Sequence, residues 1–122
     1  MSWTIDNNRP VYIQLLEQLK SKIISGELKV GQKIDSVRSL AEDAQVNPNT
    51  MQKALAELER QGLVFSKRTS GRFVTDDEER IKSMKKEVAS EEIRNLRVNL
   101  ERLGFSKEEI IELVISNIKE GK

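Results

Sequence analysis

Residues Gly26 to Val74 read GELKVGQKIDSVRSLAEDAQVNPNTMQKALAELERQGLVFSKRTSGRFV, and the order of signals in this stretch decides the fold. Asp35 or Ser36 can cap a helix from Val37 to about Ala44, with Val37, Leu40 and Ala41 turned inward and Arg38, Ser39 and Glu42 outward. Gln45-Val46 makes a turn. Asn47 is a good N-cap, and Pro48 suits the first helical position, where its missing N–H is not needed. The helix that follows runs to about Gln61. Met51, Ala54, Leu55 and Leu58 supply its core stripe, Asn49, Thr50, Gln52, Lys53 and Glu57 lie outside, and Gly62 closes it. Leu63-Val64-Phe65 and Arg72-Phe73-Val74 are β-prone runs on either side of Ser66 to Gly71, which reads as a hairpin with Gly71 near its tip. Two short capped helices joined by a tight turn and followed by a basic hairpin make a winged helix-turn-helix.

Upstream, Pro10 sits at a helix start. Val11, Leu15, Leu16, Leu19, Ile23 and Ile24 recur behind it at helical spacing, and Gly26 ends the stripe. Leu28 to Ile34 alternates weakly around a turn at Gly31 and reads as a short extended arm. Downstream, Asp76-Asp77-Glu78-Glu79 favours a helix start through the macrodipole. Ile81, Met84 and Val88, then Ile93, Leu96, Leu100 and Leu103, keep a three/four spacing with one interruption, which predicts a bend or restart at Ser90-Glu91-Glu92. Gly104 stops this helix. Ser106-Lys107-Glu108-Glu109 is a capping box for a last helix to about Lys119, whose apolar face holds Ile110, Ile111, Leu113, Val114, Ile115 and Ile118. That face is too broad for two helices to hide alone. Self-association is expected, with Leu96, Leu100, Leu103, Ile110, Ile111, Val114, Ile115 and Ile118 as dimerisation residues. The expected fold is mostly α with a small β-hairpin: a winged helix-turn-helix over residues 1–75 and a short two-helix dimerisation tail over 76–122.

Composition narrows the function classes. The chain has no cysteine, which excludes a disulfide framework and thiolate chemistry, and no histidine, the commonest metal ligand and general base. Its carboxylates lie at helix starts and on solvated faces, and its glycines are isolated stops rather than a phosphate loop, so neither an enzyme nor a cofactor is expected. No apolar run approaches the roughly 20 residues that span a bilayer, and the N-terminus lacks a signal-peptide pattern; a cytoplasmic protein with no membrane partner is expected. Net charge is +1, but residues 1–75 carry 11 Lys/Arg against 8 Asp/Glu while residues 76–122 carry 10 against 12. The positive part therefore falls on the turn-helix segment. Lys67, Arg68 and Arg72 cluster on the hairpin; a charged hairpin often just protects a sheet edge, but directly after a turn-helix unit it reads as a phosphate contact.

With these elements placed, the sequence resembles the GntR family of bacterial transcription regulators, most of all its small YtrA-type branch. The matching residues are Ile23 to Leu28, Gly31 to Ile34, Ser36 to Ala41, Val46 to Met51, Ala54-Leu55, Leu58, Gly62 to Val64 and Gly71 to Val74, and the opening Pro10 to Leu15 looks like the family's lead-in helix. The likeness is dense over residues 10–74 and rests on tail length beyond. The chain departs from common family residues at Ile34-Asp35-Ser36, at Pro48 and at Thr69-Ser70-Gly71-Arg72. The resemblance implies DNA contacts by Arg38, in its Ser-x-x-Leu-Ala context, and by Asn47, Asn49, Thr50, Gln52 and Lys53 at the start of a recognition helix. It also implies that Gly71 lets the wing tip approach the minor groove. The residue types suit these roles: Asn and Gln pair bidentately with adenine and a Thr methyl touches thymine. Arg38, Lys53, Lys67, Arg68 and Arg72 can anchor phosphates, or, for Arg38 and Arg72, contact bases.

The expectation is a homodimeric, sequence-specific DNA-binding repressor on a palindromic operator of double-stranded DNA. The resemblance implies that it controls a transporter or neighbouring operon. The alternative is a winged-helix adaptor that binds other proteins without a specific operator. A tail of about 47 residues has little room for an effector pocket, and the sequence points to no particular small molecule.

Overall fold

The computed structural model describes residues 2–121. They form helices α1 (Val11–Ile24), α2 (Val37–Ala44) and α3 (Pro48–Arg60), strands β1 (Val64–Lys67) and β2 (Gly71–Val74), and helices α4 (Glu78–Arg102) and α5 (Lys107–Lys119). The apolar spacing determines the packing. α1 and α2 both lie against α3, whose stripe of Met51, Ala54, Leu55 and Leu58 is buried together with Leu15, Leu19 and Ile23 from α1 and Leu40 and Ala41 from α2. Leu28, Ile34, Leu63, Val64 and Val74 complete this core. Each Leu, Ile, Val or Met side chain of this core contributes about 1.5–3 kcal/mol on full burial.

The local signals hold at the helix ends. Ser36 is the cap of α2, its Oγ accepting from the Ser39 N–H at 3.1 Å. Gln45 ends that helix in the left-handed conformation, φ 58°, and the Val46 N–H donates to the Ala41 carbonyl at 3.0 Å. Asn47 caps α3 by accepting from the Asn49 N–H at 2.7 Å, and Pro48 is the first helical residue.

The hairpin is longer than its apolar runs suggest. β1 and β2 pair antiparallel with Val64 opposite Val74, Phe65 opposite Phe73, Ser66 opposite Arg72 and Lys67 opposite Gly71. Ser66 and Lys67 are therefore strand residues, and the turn is confined to Arg68-Thr69-Ser70. The arm runs beside β2: Lys33 bridges Phe73, the Ile34 N–H donates to the Arg72 carbonyl and the Val74 N–H to the Gln32 carbonyl, both at 2.9 Å.

Residues before Pro10 clasp the helices through side-chain amides. Gln14 is buried because its amide serves the backbone, accepting from the Asp6 N–H and donating to the carbonyls of Asp6 and Arg9. Gln18 pairs in the same way with both backbone groups of Thr4, and the Trp3 indole donates to Asp43 at 3.0 Å, holding that carboxyl below its usual range.

α4 corrects one expectation. It runs unbroken through Ser90, so the predicted restart does not form. From Glu78 to Arg102 the helix contains neither proline nor glycine, so nothing in the backbone breaks it. The chain divides within α4 into two compact units, Met1–Met84 (the head) and Lys85–Lys122 (the tail). In the head, Met84 is buried and the Arg80 Nε donates to the Gln61 carbonyl at 2.8 Å, so the first turns of α4 belong with the winged helix. In the tail, the Ser106 capping box closes as the sequence predicts, with Ser106 Oγ accepting from the Glu109 N–H and Glu109 accepting from the Ser106 N–H.

Candidate nucleic-acid interface

The buried stripe of α3 leaves Asn49, Gln52 and Lys53 exposed on its other side, with Thr50 half-buried at the margin. Spacing of three and four puts Asn49, Gln52 and Lys53 on one face. Asn47 is exposed too; its Oδ1 accepts the cap hydrogen bond, and its NH2 group can donate to an outside acceptor. On α2, Arg38 is 89 % exposed and touches Glu42 only loosely, at 3.8 Å. Such a pair is worth little in water and releases the guanidinium at small cost.

Lys53 has a partner that the sequence did not indicate. Its Nζ lies 3.8 Å from the centre of the Tyr12 ring on α1, a cation–π contact that confines the ammonium without neutralising it. No spacing rule links residues on different helices, and only the α1–α3 packing brings them together.

The wing has two faces, because strand residues alternate. On one, Phe65 and Phe73 stack with ring centres 5.9 Å apart, and the Lys67 ammonium sits 4.8 Å from the Phe73 ring. Arg68, Thr69 and Ser70 project at the tip, all exposed. Gly71 holds φ at 105°, a region that disfavours side chains, and a Cβ there would lie 3.2 Å from the Lys33 Cε. Between wing and α2 opens a cleft of about 820 Å³ lined by Lys33, Ser36, Lys67, Arg68, Gly71 and Arg72 among others. Lys33 is a basic residue that sequence reading left out, since the arm carried no obvious pairing signal.

Arg72 is placed differently from the other basic residues. Its side chain is 19 % exposed and its Nε donates to Glu59 of α3 at 3.2 Å. The structure thus gathers Asn49, Gln52, Lys53, Arg38, Lys67 and Arg68 as exposed groups of the head and ties Arg72 inward.

The titrating groups with displaced pKa values lie in ion pairs, in the Ser106 cap and, for Asp43, under the hydrogen bond from the Trp3 indole. Hydrogen bonds from Arg60, then Gln61, lower Glu57 to about 2, and the Ser106 backbone N–H lowers Glu109. Among the described residues, no group of His, Cys, Asp and Glu could hold a metal ion, and no helix is long and apolar enough to cross a membrane.

In the tail, Ile110 is buried within its own chain, and Leu100 and Val114 are half-buried. Leu96, Leu103, Ile111, Ile115 and Ile118 are exposed, joined by Ile93 and Leu113.

The pattern of the family described as bacterial regulatory proteins, gntR family, matches residues 11–74. The chain is 33% identical over 106 residues to the HTH-type transcriptional regulator YhcF of Bacillus subtilis (strain 168), covering 87% of this chain and 88% of that one. It is 30% identical over 120 residues to the HTH-type transcriptional repressor YtrA of the same organism, covering 95% and 92%. Among solved structures, a GntR family transcriptional regulator from Listeria monocytogenes superposes with a TM-score of 0.85 at 34% identity, over 92% of this chain and 98% of that one. The DNA-binding domain of AraR in complex with operator ORX1 matches with a TM-score of 0.57 at 29% identity, over 62% of this chain and 96% of that one. This chain belongs to the GntR family as a DNA-binding winged-helix transcription regulator of the YtrA-like type, with a short C-terminal region and no enzymatic role.

Proposed function

We propose that the protein is a homodimeric repressor that recognises a palindromic operator upstream of a transporter or neighbouring operon and acts in the cytoplasm. One observation carries the operator reading: α3 buries one face completely and offers Asn49, Gln52 and Lys53 on the other, beside a basic wing of the same compact unit. Asn49 and Gln52 read base edges in the major groove, and Thr50 adds a methyl contact at the margin. Arg38, Lys53, Lys67 and Arg68 anchor phosphates, Asn47 adds its amide, and Gly71 admits the wing tip to the minor groove. The exposed aliphatic side chains of the tail support pairing with a second copy, which would set two recognition helices about one DNA turn apart. The relatives named as repressors support the direction of regulation.

An anisotropy titration at physiological salt tests this, with a duplex from the region upstream of the protein's own gene against a shuffled duplex of equal length. A preference of about a thousandfold is expected. Equal, weak and strongly salt-dependent binding would mean phosphate attraction alone and would favour the adaptor.

A further inference from the structure

We propose that Glu59 sets the position of the wing on the recognition helix, and that Arg72 serves this brace rather than DNA. The hairpin face that carries Val64 and Val74 into the core continues, by strand alternation, to the next cross-strand pair on that face, Ser66 and Arg72. There the apolar residues end. A single carboxylate oxygen of α3 receives both members of the polar pair: the Ser66 Oγ donates to Glu59 Oε1 at 2.9 Å and the Arg72 Nε donates to the same atom at 3.2 Å. Arg72 is 19 % exposed and Glu59 38 %, so the contact is partly withdrawn from water and is screened less than a free surface pair. Among the described residues the opposite face, with Phe65, Phe73 and Lys67, shows no such polar tie to α3; the arm holds β2 through backbone hydrogen bonds, and Glu59 adds the side-chain tie that seats the tip cations Lys67 and Arg68 on α3.

This inference rests on the operator reading above, and its test separates the two. Operator binding of the full-length protein would be followed by anisotropy over a salt series, beside hydrogen exchange of the hairpin amides in the free protein. Removing a negative charge from a DNA-binding face should by simple electrostatics strengthen binding. The brace predicts the opposite: Glu59→Ala weakens operator binding about threefold to tenfold and speeds exchange across residues 64–74. Arg72→Met weakens it by a similar factor with no change in salt slope, whereas loss of a phosphate contact lowers that slope by about one. The double variant binds no worse than the weaker single one, because both changes break one contact. If Glu59→Ala lost helical circular dichroism, Glu59→Gln, which keeps the acceptor oxygen, carries the same expectations at smaller size. Unchanged exchange, tighter binding by the Glu59 variant, or additive losses with a reduced slope in the Arg72 variant would overturn the brace. A wild-type protein that ignored its upstream duplex would sink the operator reading instead, and the exchange measurement would still decide the brace.

Discussion

Leu58 in α3 and Ile118 in α5 are both aliphatic residues on amphipathic helices, yet Leu58 is fully buried and Ile118 is 73 % exposed. The contrast extends to the units that hold them. The head closes its apolar stripes against one another across α1, α2, α3 and the hairpin, whereas Ile110 is the one buried hydrophobic side chain among the described residues of the tail. A unit that satisfies its own hydrophobic surface can fold on its own terms; one that leaves several large aliphatics in water needs a partner. On the function proposed above, DNA reading and self-association fall to different parts of one chain.

The largest expected effect tests the closed half. Leu58→Ala should cost about 3 kcal/mol, through lost burial and the cavity left behind. Denaturant unfolding followed by circular dichroism would show it, and a loss below about 1 kcal/mol would mean that the head core tolerates collapse. Next comes the open half. The Ile115→Asp, Ile118→Asp double variant should yield monomers by sedimentation and reduce operator affinity about a hundredfold by loss of bivalency, while the head's melting transition stays in place. A dimer that survives both charges would move the self-association surface to other residues.

Arg38→Ala sharpens the division from the DNA side. It should weaken operator binding about tenfold and lower the salt slope by about one, with dimer mass and helix content unchanged. Full affinity would remove Arg38 from the interface.

Much of this was legible because the signals were local. Ser36, Asn47-Pro48 and the Ser106–Glu109 box act within three residues, so short-range chemistry sufficed to place three helix starts. The stripe of α3 was equally plain, since each of its members meets the same core. Signals that depend on register or distance were not legible. Ser66 and Arg72 meet only because the strands pair in one register, and Glu59 lies thirteen residues from Arg72. Tyr12 reaches Lys53, and Trp3 reaches Asp43, only through helix packing. Ser90 misled for a different reason: the apolar stripe is interrupted there, but an interruption of pattern is not an interruption of backbone, and nothing between Glu78 and Arg102 breaks the helix.

The smallest expected effect separates the two units by pH. Glu57 in the head sits at about 2 because Arg60 and Gln61 donate hydrogen bonds to its carboxylate, and Glu109 in the tail is lowered by the Ser106 N–H. Each carboxyl binds a proton less readily folded than unfolded, so the unfolded chain takes up more protons as the medium becomes acidic. The stabilisation is complete above the unfolded value near 4.5 and, for Glu57, fades as pH falls toward about 2. Arg60 is largely exposed, so solvent screens the pair and the change is modest. Melting curves from pH 7 to pH 2 should therefore show Glu57→Gln falling less steeply than the wild type below pH 4.5, with its deficit confined to higher pH. Ser106→Ala should instead leave the head transition unmoved at every pH. A steep acid limb that persists in Glu57→Gln would assign the head's acid sensitivity to other carboxylates, Asp43, which accepts from the Trp3 indole N–H, first among them.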